Sequence, residues 1–79
     1  MIDPGDFITV VGSSNIKAVG YDPEEFKLYV RFAGKNDSSS LYSYEGVSQE
    51  VFDELINVES KGKFIHSEIK SNYKYAKIE

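Results

Sequence analysis

Leu41-Tyr42-Ser43-Tyr44-Glu45-Gly46-Val47-Ser48 is the stretch on which the fold turns. Up to Glu45 it reads as a strand, and Tyr42 and Tyr44, two residues apart, point to one face of it. From Ser48 the period changes. Ser48 suits a helix N-cap, Val47 is placed to pack on Phe52 as a hydrophobic staple, and Glu50 suits the positive end of the helix dipole. Val51, Phe52, Leu55, Ile56 and Val58 then form an apolar helical face through about residue 58. A strand that hands over directly to a helix points to an α+β fold.

Moving towards the N-terminus, Ala33 to Ser40 is rich in Gly, Asn, Asp and Ser and predicts an exposed loop. Before it, Phe26, Leu28, Val30 and Phe32 alternate with Lys27, Tyr29 and Arg31, the pattern of a half-buried antiparallel strand. Asp22-Pro23-Glu24-Glu25 suits a type I turn, which makes Ile16 to Tyr21 the first arm of a hairpin. Phe7 to Val11 has strand composition but is cut off by Gly12 and Ser13-Ser14-Asn15. Residues 1–11 are therefore either an extension or a fourth strand. Beyond the main helix, Ser60-Lys61-Gly62-Lys63 interrupts the pattern. A short second helix is predicted over Lys61 to Ile69, with an extended tail in which Tyr73, Tyr75 and Ile78 dock back on the sheet. The expected architecture is a small antiparallel meander of three strands, or four with the N-terminal segment. One main and one short C-terminal helix pack on one face, in a single domain over residues 12–79.

The chain has 79 residues, and a core of that size supplies only about 3–5 kcal/mol of net stability, so large apolar residues have structural work first. There is no cysteine, which removes disulfides, thiolate metal sites and a cysteine nucleophile. The first residues are acidic where a secretory signal is basic, and Phe7 to Val11 is too short to span a bilayer, so a cytoplasmic protein with no membrane partner is expected. The net charge of -4 is unevenly spread. Residues 1–59 carry four cations against eleven carboxylates, whereas residues 60–79 carry five lysines against two carboxylates. Local charge sets local potential, so the C-terminal part is positive on an acidic protein.

Taken in order, Ser13-Ser14-Asn15-Ile16, Val19-Gly20-Tyr21-Asp22, Leu28-Tyr29-Val30-Arg31-Phe32, Tyr42-Ser43-Tyr44 with Val47, and Ser60-Lys61-Gly62-Lys63-Phe64 with Ile69 resemble the KTSC domain. That module is named from its occurrence at the C-terminus of some lysyl-tRNA synthetases and also forms free-standing small proteins. The resemblance covers roughly Gly12 to Ile78. Its hallmark Y-x-Y is carried by Tyr42 and Tyr44, and RNA binding is the function proposed for the family. The loop before Y-x-Y is longer here than the tight turn usual in the family, and the N-terminal extension lies outside the resemblance.

The residues offer two surfaces for a single strand of RNA, which is gripped by cations along the phosphates and rings under the bases. One is the outward face of the central strand, with Lys27, Tyr29 and Arg31. The other is the C-terminal run with Lys61, Lys63, Lys70, Tyr73, Lys74, Tyr75 and Lys77. Each residue also has a plain structural use. Tyr29 suits cross-strand packing, the lysines near Gly62 suit helix capping or solubility, and Tyr42 and Tyr44 suit the core with hydroxyls at its rim. No phosphate-binding glycine loop is present. His66, the one histidine, lies beside Ser67 and Glu68 on helical positions that point apart and cannot make a triad. Asp22, Glu24 and Glu25 lack the ligand spacing of a calcium loop. No catalytic constellation, metal or cofactor is expected. The reading is a noncatalytic binding module, with weak RNA binding through Lys27, Tyr29, Arg31, Lys61, Lys63, Lys70 and Tyr73. The alternative is a protein-interaction module that offers a sheet edge to a partner.

Overall fold

Alternation from Lys27 onwards produces the central strand, and its two faces set the layers of the molecule. The computed structural model describes residues 7–9, 15–34 and 39–78. Its elements in chain order are β1 (Ile8–Thr9), β2 (Ile16–Asp22), β3 (Lys27–Ala33), β4 (Ser39–Glu45), α1 (Gln49–Asn57), α2 (Lys61–Phe64) continued by a wide helical turn (Ile65–Ile69), and β5 (Tyr75–Lys77). The strands form one antiparallel sheet in the order β1-β2-β3-β4-β5. Five strands replace the three or four expected from the sequence. The two additions are the edges. Among the described residues β1 pairs Ile8 with Val19 and Thr9 with Ala18, and β5 pairs Tyr75 to Lys77 with Tyr44 to Tyr42. Strands this short carry too little periodicity to be read locally and exist through their partners.

Leu28, Val30, Tyr44, Ile16, Val19 and Tyr21 turn to the same side of the sheet and meet Val47, Phe52, Leu55, Ile65 and Ile69 from the helical layer in one core. The pairing of β2 with β3 shifts between Ile16 and Ala18. This irregularity lets Ile16 join Val19 in the core although three positions separate them, which strict alternation would forbid. Burying such side chains is worth about 1.5–3 kcal/mol each, and this layer is where the stability of a small chain must come from.

The hairpin between β2 and β3 differs from the plain alternation. Phe26 lies in the turn with φ of 55° and is 55% exposed, so it is not part of the inward row of Leu28 and Val30. The N–H groups of Glu24 and Glu25 donate to the Asp22 carboxylate at 3.0 and 3.4 Å, which closes the turn as the Asp-Pro pair predicts. Burial works to raise the Asp22 carboxyl, those two hydrogen bonds work to lower it, and the net position is below the usual carboxylate range. The unusual backbone at Phe26 points its carbonyl at the Val47 N–H, 2.9 Å away, while the Val47 carbonyl accepts from the Tyr21 hydroxyl at 2.5 Å. Val47 thereby ties β2, the turn and the start of α1 together. Tyr21 in turn stacks on Phe52 with centroids 5.1 Å apart.

The helical signals act as read. The Ser48 hydroxyl accepts from the Val51 N–H at 3.3 Å, and Gly46, with φ of 76°, makes the corner out of β4 in a conformation that side-chain-bearing residues resist. Ser60 caps α2 through the Lys63 N–H, and from Ile65 the hydrogen bonding widens, with the Lys70 N–H donating to the Ile65 carbonyl at 2.8 Å. The centre of the expected Ala33 to Ser40 loop, residues 35–38, lies outside the described residues, as do residues 1–6 and 10–14 of the N-terminal segment. Among the described residues no helix is long and apolar enough to cross a membrane.

Candidate functional site

Tyr42 and Tyr44 face the helical layer, and together with β5 and the wide turn they line an open cleft of about 660 Å³. That volume lies within the roughly 300–1,000 Å³ usual for small-molecule sites. Pairing sets its floor. Tyr44 stands opposite Tyr75, and Tyr42 stands opposite Val30 on β3 and Lys77 on β5. The rings form a connected array. Phe32 meets Tyr42 edge-on at 5.5 Å and 85°, Tyr42 meets Tyr75 at 6.0 Å, and Tyr44 meets Tyr75 at 6.1 Å. These separations lie in the range in which ring quadrupoles attract. On the helical side Lys70 brings its Nζ to 5.1 Å from the Phe32 centroid, a cation–π arrangement, and Gly62, Ile65 and His66 complete that wall.

The tyrosines divide between core and cleft. Tyr44 is 1% exposed, and burial, with Tyr42 and Tyr75 beside it, pushes its hydroxyl up to about 12, so it is a neutral donor at any physiological pH. Tyr42 is half-buried, and Tyr75 is 64% exposed although it touches two other rings. The arrangement can hold a flat group against tyrosine faces and an anion beside Lys70. Among the described residues no group of three or more His, Asp or Glu side chains is placed to hold a metal ion.

The residues read from the sequence as RNA contacts lie on two sides of the sheet. Lys27, Tyr29 and Arg31 are on the face away from the helices, all half-buried. There Tyr29 is met by Phe7, with ring centroids at 6.2 Å. Phe7 lies one step beyond the pairing of Ile8 with Val19, and Gly20 sits opposite Tyr29, so the two rings meet above a glycine. Leu41 and Ser43 on the same face are buried. On the helical side, Lys61 donates to the Val58 carbonyl at 3.2 Å at the end of α1, Lys63 is exposed, and Tyr73 packs against the core from its edge. Of these side chains Lys70 alone lines the cleft. Phe32 and His66 were not among the expected contacts. Phe32 carries the same alternation signal as the core residues, but it packs only at the edge of the core, where its ring lies under Lys70. His66 carried no signal beyond its residue type.

The comparisons with known proteins accord with this architecture. A model of the KTSC domain matches residues 12–73. A protein of Tsukamurella paurometabola is 42% identical over 64 residues, covering 81% of this chain and 90% of that one. A lysine–tRNA ligase of Nostoc sp. is 40% identical over 65 residues, which are 82% of this chain but 11% of the ligase. The crystal structure of a KTSC domain protein from Yersinia pestis is similar with a TM-score of 0.79 at 30% identity, covering 92% of this chain and 96% of that one. The tyrosine pair on β4, the surrounding sheet and the sequence match together place the chain in one group: it belongs to the KTSC domain family.

Proposed function

We propose that this protein is a noncatalytic module that binds single-stranded RNA weakly, tRNA included, through the side of the molecule that carries the cleft. The observation that carries the reading is the Lys70 ammonium 5.1 Å from the Phe32 ring, in the same cleft as Tyr42 and Tyr75. Ring and cation are the two components of single-strand binding, with each stacked base worth about 1–3 kcal/mol. Lys63 on α2 and Lys77 on β5, opposite Tyr42, extend positive charge along that side of a chain whose net charge is -4. The similarity to a segment of a lysine–tRNA ligase adds support, because that enzyme's name places the segment on a protein that acts on tRNA.

Docking of a protein strand on a sheet edge has less in its favour. Among the described residues β1 and β5 are two and three residues long, and Lys74 and Lys77 flank or occupy β5, a common way of blunting an edge. The test is an amide-shift titration of the labelled protein with short single-stranded RNAs at low and moderate salt. Saturable shifts over Lys61 to Lys77 are expected. Their affinity should weaken with salt by a logarithmic slope of about 0.7 per neutralised phosphate. Absence of shifts at millimolar RNA and low salt would overturn the reading.

A further inference from the structure

We infer that the cleft is a pocket for one unstacked nucleotide, with the base on the Tyr75 and Tyr42 rings, its edge or ribose at the Tyr44 hydroxyl, and the phosphate at Lys70. This rests on the RNA reading and sharpens it from a surface to a site. Three observations support it independently. Tyr75 is held by two neighbouring rings at 6.0 and 6.1 Å and is still 64% exposed, so a large, positioned ring face is left uncovered. A positioned, uncovered ring on a cleft wall is a face on which a flat group can stack.

Tyr44 is 1% exposed and lines the cleft, and among the described residues its hydroxyl has no hydrogen-bond partner. The oxygen is not among the fully buried atoms left without a partner, so it keeps contact with the cleft, where its O–H is a donor available to a ligand. Finally, the Lys70 ammonium, the one on the lining among the described residues, lies a single ring away from the stacking tyrosines, since Phe32 touches both Lys70 and Tyr42. A flat group, a hydrogen-bonding edge and an anion at short separation are the features of a nucleoside 5′-phosphate. A hydrocarbon would leave the Tyr44 hydroxyl and Lys70 unmatched, and inorganic phosphate would leave the rings bare.

The same chemistry is offered by a free mononucleotide and by an unpaired residue within an RNA strand. The experiment is therefore a titration with 5′-AMP, 5′-UMP, adenosine, inorganic phosphate and a hexaribonucleotide, read by tyrosine ring and lysine side-chain signals. Wild type is compared with Tyr75→Ala and Tyr44→Phe, and the folded state of each variant is checked from its amide spectrum. Nucleotide or hexamer should shift the Tyr42, Tyr75 and Lys70 signals, and adenosine and phosphate alone should bind at least tenfold more weakly. Tyr75→Ala should lose at least fivefold in affinity through the missing stack. Tyr44→Phe, which keeps the ring, should lose about fivefold or more. Binding by the hexamer but not the mononucleotides supports the site with RNA as the source, and binding by mononucleotides alone supports the site while overturning the RNA reading. Hexamer binding that shifts signals elsewhere and is indifferent to both variants overturns the site and leaves the RNA reading standing. Silence in every arm overturns both.

Discussion

Tyr44 and Tyr75 stand opposite each other on β4 and β5 with ring centroids 6.1 Å apart, the first 1% and the second 64% exposed. One pair of rings thus joins the interior to the surface. Removing the Tyr44 ring is expected to be felt in stability, and removing the Tyr75 ring in binding with little effect on stability.

The Tyr44 hydroxyl is pushed up to about 12, against about 10 for a tyrosine in an unfolded chain. Its contribution is fully present below pH 10 and is lost as pH rises towards 12, because over that window the unfolded state gives up its proton first. At about 1.4 kcal/mol per unit, the full loss is about 3 kcal/mol, roughly half of it reached by pH 11. Urea melts at pH 9 and pH 11 should show it. Tyr44→Phe should remove much of the difference, with the remainder due to Tyr21, which burial raises in the same direction.

Phe26 holds a left-handed backbone at φ of 55° with more than half of its surface in solvent. Phe26→Gly should therefore stabilise the fold by about 0.5–1 kcal/mol, since glycine adopts that region without the Cβ clash. A melt that shows a loss instead would mean that the ring's packing outweighs the strain.

Gly46 presents the opposite case. A Cβ there would meet nothing within 4 Å, yet φ is 76°. Gly46→Ala should cost about 1–2 kcal/mol from backbone conformation alone, with no change in the slope of the urea transition.

The two charged faces can be separated by reversal. Lys63→Glu with Lys70→Glu should weaken RNA binding and reduce the salt slope by about 1.4, the share of two phosphates. Lys27→Glu, on the far face, should leave the slope within error of wild type. Equal effects from both would place the RNA across the sheet instead of beside the cleft.

The sheet-and-helix plan was legible because its signals are local. The alternation of Leu28, Val30 and Phe32, the Ser48 cap and the spacing of Val51, Phe52 and Leu55 each fit within one element. The alternation overran at Phe26 because periodicity alone cannot tell the last residue of a turn from the first of a strand. β1 and β5 depend on partners across the sheet, and for β5 two helices intervene between it and β4. The cleft was only partly legible for the same reason. Tyr42, Tyr44 and Lys70 could each be named from the sequence, but their convergence depends on the β4 to β5 pairing and on the shape of the segment after α2. Nothing in the local pattern sets Phe32 apart from its core neighbours.

That segment amounts to a phase shift. In a regular helix each residue advances the direction of the side chain by about 100°, and the hydrogen bond from Lys70 to Ile65 absorbs one residue more than a regular turn would. The extra residue decides which compass direction Lys70 faces while Ile65 and Ile69 both stay anchored in the core. A regular turn over the same residues would leave the composition and the net positive charge of this end unchanged and would swing the ammonium roughly a quarter-turn away from the rings. Two chains of this architecture with the same lysines could therefore differ in recognition through the width of one turn alone.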